Sequence, residues 1–132
     1  MSFSLDMEFE FRTSVAKLWA ALTDSSKLAM WIADNDFEPV VGHRFQFRHE
    51  PNAYWDGVVN SEVIAIDEPR SLSLAWAVGE ERHHVTLSIH DLGDGKVALR
   101  LAQTGFSSAQ AHGGAKYGWM AWIEKLAKVL EK

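Results

Sequence analysis

Three consecutive segments decide the fold: RHHVTLSIHDL (residues 82–92), GDG (93–95) and KVALRLAQTG (96–105). In the first, His83, Val85, Leu87 and Ile89 alternate with His84, Thr86, Ser88 and His90. In the last, Val97, Leu99, Leu101 and Gln103 share one side. Successive residues of a strand point to opposite faces, so this period of two marks strands with one apolar face. Gly-Asp-Gly between them is a strong hairpin signal. An antiparallel sheet with one wet face follows.

The same pattern extends outward. FSLDMEFEF (3–11) sets Phe3, Leu5, Met7, Phe9 and Phe11 against Ser4, Asp6, Glu8 and Glu10. HRFQFRH (43–49) sets Phe45 and Phe47 against Arg44, Gln46 and Arg48, and SLSLAWAV (71–78) sets Leu72, Leu74, Trp76 and Val78 against small residues. YWDGVVNSEVIAID (54–67) reads as a longer, less regular strand, with Gly57 as a bulge or bend. TSVAKLWAALTD (13–24) changes period: Val15, Leu18, Trp19 and Leu22 recur at helical spacing behind Thr13 or Ser14 as N-cap. A second short helix, SSKLAMWIA (25–33), follows Asp24 as its cap, and DNDFEPVVG (34–42) is a turn-rich connector.

The chain ends on HGGAKYGWMAWIEKLAKVLEK (112–132). Trp119, Trp122, Ile123, Leu126, Val129 and Leu130 fall on one helical stripe, with Glu124, Lys125, Lys128 and Lys132 outside it. Ser107 and Gln110 have capping-box spacing, while Gly113 and Gly114 disfavour helix, so the start lies near Ser108 or near Ala115. Two short helices after the first strand, about five more strands and one long helix give an α+β fold. The long helix covers the apolar face of the sheet. A curved sheet gripping one helix encloses space of the kind that binds small molecules.

Composition narrows the function. A chain of 132 residues suits a single domain, here taken as residues 1–132. There is no cysteine, hence no disulfide and no thiolate metal site. The net charge of −5 and scattered charges argue against a nucleic-acid partner. No apolar run approaches a membrane span, and MSFSLDMEFEF lacks the pattern of a signal peptide, so a cytoplasmic location is expected. Six Trp and seven Phe need large apolar surfaces to cover, in a core, a cavity or an interface.

VAKLWAALTDSSKLAMWI (15–32), FEPVVGHRFQF (37–47), GVVNSEVIAIDEPRSLSLAW (57–76), VTLSIHDLGDGKVALRLAQTGF (85–106) and GWMAWIEKLAKVL (118–130) together resemble the START-like, or SRPBCC, helix-grip superfamily. Within it the chain is similar to the branch containing the C-terminal domain of the activator of heat-shock protein 90 ATPase. The pieces that carry the resemblance are packing and turn motifs, not catalytic signatures. Ile32 departs from the pattern, standing where a second Trp is common. The resemblance implies a cavity between the sheet and the C-terminal helix, of the Bet v type. It implies an apolar ligand such as a lipid, a polyketide or an aromatic compound. Some relatives are cyclases or dehydratases, and the eukaryotic branch binds a chaperone.

The candidate cavity residues are Trp31, Phe45, Phe47, Trp76, His83, Val85, Leu99, Leu101, Gln103, His112, Trp119 and Ile123. His83 shares the apolar face of its strand and is either a rim histidine bonded to a neighbour or a polar contact in the cavity mouth. Gln103 is the one amide on an apolar face, and a buried amide must find a partner. His112 shares the face of Trp119 if the helix is continuous. Trp19 and Trp122 read as core. His43, His49 and His90 lie near strand ends and read as exposed. Asp67, Glu68, Glu80 and Glu81 fall in turns, and no carboxylate lands on an apolar face where burial would raise its pKa. No catalytic residue, metal ligand or cofactor is therefore assigned. Three readings stay open: a binding module for an apolar small molecule, favoured; a chaperone-linked interaction domain; and an enzyme of the cyclase or dehydratase kind.

Overall fold

The computed structural model describes residues 3–51, 53 and 56–131. Strand β1 (Phe3–Arg12) leads into helices α1 (Val15–Thr23) and α2 (Ser25–Trp31). Then come β2 (Asp34–Asn35), β3 (Arg44–Arg48), β4 (Val58–Asp67), β5 (Ser71–Val78), β6 (Glu81–Gly93), β7 (Lys96–Phe106) and helix α3 (Ala109–Leu130). The strands form one antiparallel sheet in the order β1-β7-β6-β5-β4-β3-β2. This is the expected helix-grip architecture, a curved sheet closed by a long C-terminal helix. Among the described residues, no helix is long and apolar enough to cross a membrane.

Local chemistry sets the boundaries. Ser14, not Thr13, caps α1: its hydroxyl accepts from Lys17 N–H at 3.1 Å. Asp24 closes one helix and opens the next. Its N–H donates to the Ala20 carbonyl at 3.0 Å, while its carboxylate accepts from Ser26 N–H at 2.9 Å. The 93–95 turn places Asp94 and Gly95 at φ of 55° and 75°, the left-handed pair a two-residue hairpin demands.

Two readings of the sequence are corrected, the connector and the Ser107–Gln110 capping box, and two open alternatives are decided, at Gly57 and at the start of α3. The connector holds a two-residue edge strand, β2, because buried Asn35 is tied by its amide to Ser25 and Ala33. Of the two alternatives at Gly57, the structure shows the bend and not the bulge. The glycine precedes β4 at φ 84°, and a Cβ there would strike the carbonyl of His49, whose N–H donates to Gly57 O at 2.7 Å. The register of β4 shifts instead between Val63 and Ala65. Tyr54 and Trp55, read as part of that strand, lie outside the described residues. Finally, α3 is capped by Ser108, whose hydroxyl accepts from Ala111 N–H at 3.1 Å, and it runs unbroken through Gly113 and Gly114. The Ser107–Gln110 capping box does not form, because Ser107 is engaged elsewhere.

The apolar faces meet as their periodicity requires. Leu72, Leu74, Val85, Leu87, Ile89, Val97, Leu99 and Leu101 are buried beneath the helices. On the side of β3 and β5, rings fill the interior. Phe37, Phe45, Phe47, Trp76 and Trp119 follow one another with successive centroids 5.2–5.5 Å apart, within aromatic pairing distance.

Candidate functional site

One half of α3 fills the space above the sheet and the other does not. Trp119, Ile123, Leu126 and Leu130 bury their side chains at helical spacing. In the residues before Trp119, the side facing the sheet carries Ala111, Gly114, Ala115 and Gly118. These residues have too little side chain to reach the sheet, and a Cβ built on Gly114 or Gly118 meets nothing within 4 Å. The result is a cavity of about 380 Å³ between β4–β7 and the first half of α3. Val59, Trp76, Val78, His83 and Phe106 wall it from the sheet, and Trp122 joins Trp119 on the helix side. Its remaining polar lining comes from Glu81 and Gln103.

These polar residues form one chain. The Trp119 indole N–H donates to Gln103 Oε1 at 2.8 Å. An indole nitrogen can only donate, so the amide oxygen must face it and the amide nitrogen must face away. That nitrogen lies 2.8 Å from His83 Nδ1. An amide N–H₂ cannot accept, so Nδ1 accepts and the imidazole proton sits on Nε2. His83 is 6% exposed in its side chain, and its Nε2 makes no hydrogen bond among the described residues; Glu81 Oε2 stands 3.4 Å from it. The other oxygen of Glu81 accepts from the Ser107 hydroxyl at 2.6 Å and from Ser107 N–H at 3.3 Å. The Ser107 hydroxyl, foremost, holds the Glu81 carboxyl below its ordinary pKa, with His83 adding to the effect.

Gly105 brings Ser107 to Glu81. It adopts φ 101°, and a Cβ there would lie 2.5 Å from the Arg82 carbonyl. Only glycine lets β7 pass this close to the start of β6.

Of the residues singled out from the sequence, Trp76, His83, Gln103 and Trp119 meet on the cavity wall. Phe45, Phe47, Val85, Leu99, Leu101 and Ile123 are buried in the packed interior instead. Trp31 is too, its indole N–H donating to the Ala21 carbonyl at 2.9 Å. His112 packs on Phe106 and Phe3 and does not line the cavity. Trp122, read as core, is half-buried and lines the cavity. His49, read as exposed, is half-buried and stacked on Trp122, its ring 5.4 Å away and 12° from parallel. Burial pushes its pKa down, and nearby Lys125 adds to this. His43 is half-buried too, its Nε2 2.8 Å from the Asp36 carbonyl; His90 is exposed.

Glu81 was missed, having been read as a turn residue. Its signal was present: it precedes His83 by two, so extending the strand by one residue puts both on the inner face. The small residues at 111, 114, 115 and 118 were legible as a helical stripe, but their glycines obscured where the helix began. Among the described residues, no three His, Asp or Glu side chains cluster to hold a metal ion.

Comparison with solved structures gives likenesses over nearly the whole chain. Protein MLL2253 from Mesorhizobium loti is 34% identical, with 98% of this chain and 97% of that one covered and a TM-score of 0.87. DynU16, from the dynemicin biosynthetic locus, shares the fold at 19% identity and a TM-score of 0.83, over 98% of this chain and 47% of that one. PFC0360w, an HSP90 activator from Plasmodium falciparum, shares it at 16% identity and a TM-score of 0.81, over 97% and 96%. Comparison with curated protein sequences gives no match. The family model described as Activator of Hsp90 ATPase homolog 1-like protein matches residues 12–131. With that match running through every helix and strand from α1 to α3, on a START-like helix-grip fold, the chain belongs to the family of activator of Hsp90 ATPase homolog 1-like proteins.

Proposed function

We propose that this protein binds an apolar small molecule in the cavity between the sheet and the first half of α3. The observation that carries the reading is the cavity itself: about 380 Å³, walled by rings and aliphatic groups, with a few polar atoms at one place. Small-molecule sites have this size and this composition. Binding fits the polar groups better than proton abstraction does. A general base must offer a lone pair to its substrate. The lone pair of His83 is occupied by Gln103, and Glu81, whose Oε2 does offer one, is held below its ordinary pKa by Ser107 and so is a weak base. The residues from Phe3 to Glu131 act here as one domain, since β1 pairs with β7 and α3 packs across both.

The test is titration with Nile red, a neutral dye that brightens in apolar surroundings. Saturable binding at one site per chain, weakened by Gly118→Phe in a protein that still melts cooperatively, supports the reading. Absence of saturable binding to the parent protein overturns it.

A second reading is docking to a chaperone. It is favoured by the family to which the chain belongs and by Tyr117 and Met120, which are 80% and 51% exposed. Three residues apart, they are neighbours on the outer face of α3. Association with a heat-shock protein 90 that is lost in Tyr117→Ser, with the dye site intact, supports this reading.

A further inference from the structure

We propose that the cavity selects a neutral molecule that carries a hydroxyl group on its apolar body, held jointly by His83 Nε2–H and Glu81 Oε2. This deepens the binding function proposed above and rests on it. Phenols and apolar alcohols are the ligand class; fatty acids and other carboxylates are not.

His83 Nε2 and Glu81 Oε2 are in contact at 3.4 Å without a well-formed hydrogen bond between them. His83 Nε2 carries its proton, because Nδ1 is held as an acceptor by Gln103, which is held in turn by Trp119. The relay fixes both the tautomer and the ring, so the N–H is a preset donor. It is buried, makes no hydrogen bond among the described residues, and belongs to a residue on the cavity wall. Glu81 Oε2 is 3.4 Å away, beyond good hydrogen-bonding range, and the other oxygen of that carboxylate is taken by Ser107. A donor and an acceptor therefore stand side by side on residues of the cavity wall. One atom that both accepts and donates satisfies the two together, standing at about 2.8 Å from each.

Alternatives fail on their hydrogen-bonding capacity. A ketone or ether oxygen accepts from His83 but sets lone pairs against the Glu81 carboxylate. An ammonium pairs with Glu81 but sets N–H against N–H at His83. A carboxylate brings like charge to within contact of Glu81, which Ser107 keeps ionised. A hydroxyl avoids all three conflicts. Its bond to the carboxylate is of the charge-assisted kind, the stronger class. Trp76, Phe106, Trp119 and Trp122 line the same cavity and supply apolar contacts to the body.

The experiment compares naphthalene, naphthol and naphthoate, which share one ring system, each displacing Nile red from the intact protein. Naphthol is expected to bind about tenfold more tightly than naphthalene, the gain of a hydrogen bond to a charged group. Naphthoate is expected to bind more weakly than naphthalene. Glu81→Gln, which keeps the shape and removes the charge, should narrow the gap between naphthol and naphthoate. His83→Phe, which keeps a ring and removes the donor, should reduce the advantage of naphthol over naphthalene without abolishing it, since the bond to Glu81 remains; its cooperative melt is checked alongside. Equal affinities for naphthol and naphthalene, or tightest binding of naphthoate, overturn the hydroxyl assignment and leave the apolar cavity standing. Nile red that binds saturably but yields to none of the three also overturns it. Failure of Nile red itself to bind removes the site, a distinct result.

Discussion

Trp119 of α3 and Gln103 of β7 are joined by a 2.8 Å hydrogen bond inside the protein, between two side chains that are 2% and 1% exposed. This bond ties the helix to the sheet at the edge of the cavity. It also sets the orientation of the amide, and through it the tautomer of His83.

Replacing Gln103 by Leu keeps the approximate volume but removes the amide from both of its partners. The Trp119 N–H is then buried without an acceptor and His83 loses its fixed donor. We expect a loss of about 1–3 kcal/mol, the range for stranding a buried polar group. Urea unfolding checks it. A midpoint equal to the parent's would mean that the bond contributes nothing to stability.

Gly118 should show stability and binding moving in opposite directions. A Cβ added there meets nothing within 4 Å, and the residue lies within a helix. Gly118→Ala is expected to stabilise the protein by about 1 kcal/mol through helix propensity. The same methyl intrudes on the cavity and should weaken Nile red binding. Thermal melts and dye titration on one preparation measure both, and a destabilised variant contradicts the open space seen at this position.

Leu126 is fully buried where α3 closes on the core. Leu126→Ala should cost about 2–5 kcal/mol, the range for a buried leucine truncated to alanine. A melting temperature within a degree of the parent's would exclude it from the core.

His49 gives a pH dependence of definite sign. Its folded pKa lies below the ordinary 6.5, chiefly because the ring is buried. Below 6.5 the unfolded chain takes up a proton that the folded protein resists. The contribution of His49 is therefore complete above 6.5 and is lost as pH falls from there through the folded value. Urea midpoints on either side of that window should decline towards acid, and His49→Phe, which preserves stacking on Trp122, should flatten the decline. An unchanged slope in the variant assigns the effect to another group.

Gly105→Ala tests the close passage of β7 over β6. The left-handed φ and the contact with the Arg82 carbonyl both oppose a side chain. A loss of more than about 1 kcal/mol is expected, since alanine at positive φ is strained. Nile red affinity should fall as well, because Ser107 and Glu81 are displaced together. Parent-like stability and binding would show that the backbone adjusts freely here.

The sequence by itself determined the elements and their faces. Period two in 82–105 and in 3–11 marks which side chains point inward, and α3 follows from the spacing of Trp119, Ile123, Leu126 and Leu130. These are local properties: each side chain's direction depends on its own backbone and on its neighbours a few residues away. Two of the wall's polar residues, His83 and Gln103, were legible because a polar residue on an apolar face interrupts an otherwise regular pattern. Tertiary structure decided the rest. Whether a wide apolar face is filled or left open depends on which part of α3 lies over which strands. That placed Phe45, Phe47 and Trp31 in solid packing and left Ala111, Gly114 and Gly118 over a hollow. Glu81 joined the site for the same reason: its carboxylate matters only because Gly105 allows β7 to carry Ser107 to it. No periodicity within one strand records what a second strand brings alongside.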